Sequence, residues 1–338
     1  TRQHVSLMLP IALDAMGGDH APQVMVEGAC RARDEHGIDV VLVGPPDQLG
    51  DAHGLPIIPA SEVIGMADDP GSGVRRRKDA TVVRAAEAVR DDIAAATVSA
   101  GNTGAAMASA LFRIGRLRGV SRPAIATPIP SMSGPPTVLL DAGANAECQP
   151  SWLVQFAQMG AVYARRRFDV ETPRVGLLSI GEEPGKGNDL AKETFDLLSG
   201  GALSGPAGAT FVGNVEGRDI MSDDVDVIVT DGFTGNVVLK ALEGGIGSVL
   251  DRLRALVDAD EPSRAAAAPL MPELDRLFTD LDPDTYGAAL LLGVKGVSLI
   301  SHGASNAEAV CNALRTAVDM VEVDLVSALA DAVAPAKA

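Results

Sequence analysis

The chain has 338 residues, 46% of them apolar and 22% charged, a composition that supports a sizeable core and excludes disorder over most of the length. Lys and Arg total 28 against 45 Asp and Glu, a net charge of −17, and only 3% of residues are aromatic. Neither a basic face for nucleic-acid phosphates nor an aromatic platform for stacked bases is available, although small anions can still be held by backbone N–H groups and local fields.

Along the chain, short apolar runs at 11–13, 40–43, 98–99, 137–140, 175–180, 225–230 and 297–300 predict strands. Ala-rich stretches such as 80–90, 104–113, 152–167 and 189–198 predict the helices between them. Continuous rather than alternating apolar runs are the mark of strands buried on both faces. The alternation therefore predicts one α/β domain over 1–338, with a mainly parallel sheet covered on both sides. Residues 247–284 break the pattern, with no strand signal. Leu250, Leu253 and Val257 fall on one helical face; an Ala- and Pro-rich stretch follows, then Leu274, Leu277, Phe278 and Leu281. This predicts a projecting helical hairpin tipped by Leu270 and Met271, either a dimer-packing arm or a membrane contact.

Cys30, Cys148 and Cys311 lie far apart and the five histidines lack ligand spacing, so neither disulfides nor a metal is expected. No apolar run is long enough for a transmembrane helix, and the expected location is cytosolic.

Most of the chemistry follows the strands. The first is followed by Asp14-Ala15-Met16-Gly17-Gly18-Asp19-His20, and the run at 98–99 by Ala100-Gly101-Asn102-Thr103-Gly104. Further on come Asp141-Ala142-Gly143-Ala144-Asn145, Gly185-Lys186-Gly187-Asn188, Asp231-Gly232-Phe233-Thr234-Gly235-Asn236 and Ser301-His302-Gly303. Parallel strands would place these loops along one sheet edge, where open α/β sheets bind ligands. Glycine lets backbone N–H groups approach an anion closely, and a helix start favours negative charge. Gly101-Asn102-Thr103-Gly104 is the best cradle, Thr234-Gly235-Asn236 a second, and Lys186 a mobile cation. There is no Walker A loop, no dinucleotide fingerprint and no serine-hydrolase elbow, which leaves phosphate or a phosphorylated group as the ligand class. The basic run Arg75-Arg76-Arg77-Lys78 is either a solvated segment or a contact for an acidic partner.

These motifs resemble those of the PlsX-type phosphate acyltransferases. The matching stretches include Ile11-Ala12-Leu13-Asp14-Ala15-Met16-Gly17-Gly18-Asp19-His20, Ser99-Ala100-Gly101-Asn102-Thr103-Gly104 and Leu140-Asp141-Ala142-Gly143-Ala144-Asn145. Thr230-Asp231-Gly232-Phe233-Thr234-Gly235-Asn236 and His302-Gly303-Ala304-Ser305-Asn306 match as well, and the likeness runs from 11 to about 325. The resemblance implies a three-layer α/β/α sandwich akin to isocitrate and isopropylmalate dehydrogenases and to phosphotransacetylases. It implies a homodimer without cofactor that moves a fatty acyl group from acyl carrier protein to inorganic phosphate. A membrane glycerol-3-phosphate acyltransferase then takes the product, and the enzyme touches the membrane peripherally through the hairpin. On this reading Gly17, Gly18, Gly101, Asn102, Thr103, Gly104, Thr234 and Gly235 hold phosphate, and Lys186 neutralises charge. Asn188 and Asn236 donate to the carbonyl oxygen, His20 or His302 protonates the leaving thiolate, and Asp14 and Asp231 orient these groups. Arg75, Arg76, Arg77 and Lys78 meet the acidic carrier. The alternatives are a short-chain acyl-CoA phosphate acyltransferase, a non-enzymatic membrane-docked scaffold and a dehydrogenase of the same fold.

Overall fold

A computed structural model describes residues 9–131, 133–286 and 288–333. The strands are β1 (Ile11–Asp14), β2 (Val40–Gly44), β3 (Ile57–Pro59), β4 (Ala96–Ser99), β5 (Ala124–Ile129), β6 (Thr137–Leu140), β7 (Arg174–Leu178), β8 (Thr210–Val215), β9 (Val227–Val229), β10 (Ala289–Leu292) and β11 (Val297–Ile300). They form one sheet in the order β3-β2-β1-β4-β11-β10-β5-β6-β9-β7-β8. The helices are α1 (Gln23–His36), α2 (Pro46–Leu49), α3 (Pro70–Arg76), α4 (Thr81–Arg90), α5 (Thr103–Ser109), α6 (Pro150–Phe168), α7 (Asp189–Ser199), α8 (Gly232–Val257), α9 (Glu261–Ala267), α10 (Met271–Asp280), α11 (Ala307–Glu322) and α12 (Leu325–Val333).

Alternate strand residues enter different cores, which is why two helical layers form. Ile11, Leu13, Val40 and Leu42 pack with α1, α6 and α11, whereas Ala12, Val41 and Val43 pack with α4 on the opposite face. In β6, Val138 and Leu140 join the first cluster while Leu139 turns toward Val238 and Leu242 of α8. Every one of these strand residues is buried, so the continuous apolar runs report a sheet covered on both sides.

One expectation is corrected. The strand-end loops do not share a single edge. β10 runs antiparallel to both β11 and β5, and β5 antiparallel to β6. The strands β6 to β10 therefore run against β1 to β5 and β11, and the loops after β6, β7 and β9 leave the edge opposite to those after β1, β4 and β11. Buried apolar runs carry no information about strand direction, so the sequence could not reveal the reversal. Helix α8 brings the two sets together: it begins after β9 and carries its inner face to the loops after β4 and β11.

Residues 247–284 form the end of α8, then α9, a short 3₁₀ turn at Ala268–Leu270, α10 and another 3₁₀ turn. No described residue of α9, that turn or α10 is fully buried, and α10 meets α8 where Arg254 lies over the Phe278 ring. Among the described residues, no helix is long and apolar enough to cross a membrane.

Candidate active site

The site is built on two buried carboxylates. Asp14 ends β1; its Oδ2 accepts from Ser99 Oγ at 2.7 Å and its Oδ1 from Met16 N at 3.3 Å. Ser99 Oγ in turn accepts from Gly101 N at 3.2 Å, which ties the loop after β1 to the loop after β4. Gly17 must be glycine here, since a Cβ would stand 2.7 Å from Gly101 N. Burial pushes the Asp14 carboxyl above its ordinary value, against the hydrogen bonds from Thr81 and Ser99.

Asp141 plays the same part in the other half. Its carboxylate accepts from the backbone N–H of Ile125 (3.0 Å), Gly143 (3.2 Å), Ala144 (2.9 Å) and Asn145 (2.7 Å), and from Asn145 Nδ2 at 2.8 Å. Burial again raises its pKa, opposed by these bonds. The start of α8 docks on this turn. A Cβ on Gly235 would lie 2.0 Å from the Asp141 carbonyl oxygen, and one on Gly232 would lie 2.7 Å from Asn145 backbone atoms. Asp231 caps the helix, accepting from Thr234 N and Thr234 Oγ1 at 2.8 Å each.

Between α8 and the loops after β4 and β11 lies a cavity of about 510 Å³. Its polar end is lined by Gly101, Thr103, Asn236, Lys240, Glu243 and His302, and its apolar limb by Ile125, Leu239, Leu242, Ile246, Leu250 and Phe278. Lys240 Nζ lies 3.0 Å from His302 Nε2 and 2.8 Å from Glu243 Oε2, and His302 Nε2 lies 3.4 Å from Glu243 Oε1. Burial pushes the Glu243 carboxyl up, but the hydrogen bonds from His302 and Lys240 outweigh it and hold the group below its ordinary value. Asn236 donates from Nδ2 to Ala142 O at 3.3 Å.

The structure brings Gly101, Thr103, Asn236 and His302 to this one cavity. Asn102 stands beside it, but its side chain is engaged: Oδ1 caps α5 through Ala105 N at 3.0 Å, and Nδ2 faces the carbonyls of Gly65, Met66 and Asp68. Gly104 lets α5 approach Pro70, where a Cβ would come within 2.6 Å. Gly18, at φ +109°, packs by the Gly303 carbonyl, and His20 is exposed on the next turn.

Lys186 is elsewhere. Its side chain is 51% exposed and 3.9 Å from Glu183. The neighbouring Asn188, with Asp231 and Thr234, lines a separate recess of about 160 Å³. Asn188 caps α7 by accepting from Ala191 N at 2.9 Å. Of the basic run, Arg75 lies over the Phe112 ring at 5.5 Å, and Arg75, Arg76 and Lys78 are exposed. Arg77 is bound to the Val63 carbonyl at 2.7 Å and to Asp68. Leu270 is exposed and Met271 half-buried.

Sequence reasoning missed Lys240 and Glu243. A signal existed: between Val237 and Leu250 they are the only charged residues, three apart on a helix that is otherwise apolar or small. Among the described residues, no group of three or more His, Cys, Asp or Glu could hold a metal ion.

The architecture is an α/β/α sandwich of the phosphotransacetylase fold class. The EutD phosphotransacetylase from Staphylococcus aureus superposes with a TM-score of 0.60 at 16% identity, covering 93% of this chain and 94% of that chain. The 4-hydroxythreonine-4-phosphate dehydrogenase from Klebsiella pneumoniae gives 0.52 at 12% identity, covering 93% and 99%. The fold is thus the sandwich implied by the sequence, shared by transferases and dehydrogenases, and by itself it names no reaction. Sequence is more specific. Residues 9–328 match the fatty acid synthesis protein family. The phosphate acyltransferase of Pelotomaculum thermopropionicum is 47% identical over 321 residues, covering 93% of this chain and 92% of that protein. That of a Nostoc species is 45% identical over 325 residues, 94% of each. The chain belongs to the fatty acid synthesis protein family and is an enzyme of the acyltransferase class.

Proposed function

We propose that the chain transfers a long-chain fatty acyl group from the thioester of acyl carrier protein to inorganic phosphate. The product, an acyl phosphate, serves a membrane glycerol-3-phosphate acyltransferase on the way to phosphatidic acid. The observation that carries this reading is the continuity of one cavity, from the Lys240–His302 end, rich in polar groups, to an apolar limb along α8. An anion and an aliphatic chain fit its two ends.

Phosphate is a nucleophile at neutral pH, so the protein's task is positioning and charge stabilisation rather than covalent catalysis. Gly101 and Thr103 cradle the phosphate and Lys240 neutralises it. A phosphate oxygen attacks the thioester carbonyl carbon, and Asn236 donates to the oxygen that becomes negative. Collapse of the tetrahedral species breaks the C–S bond; the carrier thiolate leaves and takes a proton from solvent. Lys240 stands where the sequence reading put Lys186. Asn188 and Asp231 hold the starts of α7 and α8, and His20 stands outside the cavity wall.

Arg75, Arg76 and Lys78, exposed on and just after α3, suit an acidic carrier protein by charge steering. The exposed stretch around Leu270, which is 61% exposed, suits a second copy of the chain or a lipid surface. On this reading the enzyme works as a cytoplasmic homodimer with peripheral membrane contact. A short-chain acyl-CoA donor is the alternative, and the apolar limb favours the longer chain. The test is acyl phosphate formation from a long-chain carrier-protein thioester and from short-chain acyl-CoA, each with and without phosphate. Phosphate-dependent acyl phosphate from the carrier thioester supports the proposal; thioester loss that ignores phosphate sinks it.

A further inference from the structure

The apolar limb of the cavity follows one face of α8. Lys240 stands at the polar end, and Glu243, Gly247, Leu250 and Arg254 succeed it at helical spacing, all lining the same space. Arg254 lies over the Phe278 ring at 4.6 Å, so the charged tip of one helix is stacked on the aromatic face of α10 where the limb ends. Fourteen residues of α8 separate Lys240 from Arg254, about 21 Å at 1.5 Å per residue. An extended chain advances about 1.2 Å per single bond, since a residue of three backbone bonds spans about 3.5 Å. The limb therefore accommodates about 17 carbons of chain between Lys240 and Arg254.

We propose that this limb is a length gauge for the acyl chain, held open at its middle by Gly247 and closed by the Arg254–Phe278 pair. The proposal rests on the acyl-transfer reading above and adds to it the residues that set chain length. Gly247 has no atom within 4 Å of the place its Cβ would occupy, so the missing side chain is cavity space, not packing. It sits seven residues past Lys240, about 10 Å along the helix, room for about 8 carbons. At the far end Arg254, 3.6 Å from Asp251, replaces an apolar wall with a guanidinium. Methylenes that reach that point meet the guanidinium instead of an apolar wall, so further length brings no further burial.

The experiment is kcat/KM for carrier-protein thioesters of roughly 8, 16 and 20 carbons, measured on the wild type, Gly247→Phe and Phe278→Ala. In Gly247→Phe the ratio of 16-carbon to 8-carbon turnover is expected to fall at least about tenfold; phenylalanine also has a higher helix propensity than glycine. Phe278→Ala opens the far end, and the ratio of 20-carbon to 16-carbon turnover should rise at least about threefold. If Gly247→Phe depresses all lengths equally, or both ratios stay at the wild-type value, the gauge is overturned while acyl transfer stands. If the wild type moves no acyl group of any length to phosphate, the acyl-transfer reading fails first and the gauge falls with it.

Discussion

Lys240 Nζ lies 3.0 Å from His302 Nε2, joining a helix that follows β9 to a loop that follows β11, across the two opposed halves of the sheet. His302 Nε2 faces both Lys240 Nζ and Glu243 Oε1, and it accepts from the ammonium when it carries no proton or donates to the carboxylate when it does, not both at once. Glu243 steadies both groups from the next turn of α8.

The cation that serves the reaction is therefore testable between two lysines. Lys240→Ala is expected to lower kcat by about a hundredfold, the scale of losing one electrostatic donor at a developing charge. Lys186→Ala, outside the cavity, should stay within about threefold of wild type. Phosphate-dependent thioester loss measures both. The opposite ordering would move the chemistry to the recess beside Asn188 and Asp231.

Two glycines of one helix should respond in opposite directions. A Cβ on Gly235 meets the Asp141 carbonyl oxygen at 2.0 Å, so Gly235→Ala must displace the start of α8 or the Asp141 turn. It should destabilise by about 1–3 kcal/mol. Gly244 has nothing within 4 Å of a Cβ, and Gly244→Ala should stabilise by about 0.5–1 kcal/mol through reduced backbone freedom in the unfolded chain. Urea unfolding of the two variants reads the contrast, and equal midpoints would refute the docking argument.

Asp141 is a hub for five N–H donors, four backbone and one from Asn145. In Asp141→Asn, one oxygen becomes an NH₂ that faces donors instead of accepting from them. The cost should be about 3 kcal/mol, or a fall in Tm of roughly 4 °C for a chain of 338 residues. Calorimetry checks it; a Tm within about 2 °C of wild type would mean the turn is held by something else.

Acid should selectively dissolve the Glu243 contacts. The folded carboxyl is held below its ordinary value of 4.5, so it binds protons less readily folded than unfolded. Its contribution to stability is present in full above the unfolded value and is lost as pH falls through the folded one. The stability gap between wild type and Glu243→Gln should be constant above about pH 5.5 and shrink as pH falls below 4.5. A gap that stays constant, or widens, on acidification would contradict the assigned contacts. Equilibrium unfolding across this pH range is the measurement.

Much of this protein is written in its sequence, because the local rules suffice for it. Apolar runs such as Val138-Leu139-Leu140 specify strands buried on both faces, since each alternate side chain must find an apolar layer. Asn102, Asn188 and Asp231 mark helix starts because their side chains satisfy the first free N–H groups, so the motifs that suggested anion cradles are also caps. Strand direction is another matter. The same apolar run serves a parallel or an antiparallel neighbour, and the reversal at β10 and β5 is settled by which hydrogen-bond partners the whole chain brings together. That reversal separates Lys186 from the loop at Gly101 and lets α8 bring Lys240 to His302, 62 residues away in sequence. The sequence thus marked seven of the eleven strands, the caps and the family, but not β3, β5, β8 and β10, and the pairing of remote strands decided which lysine faces the cavity.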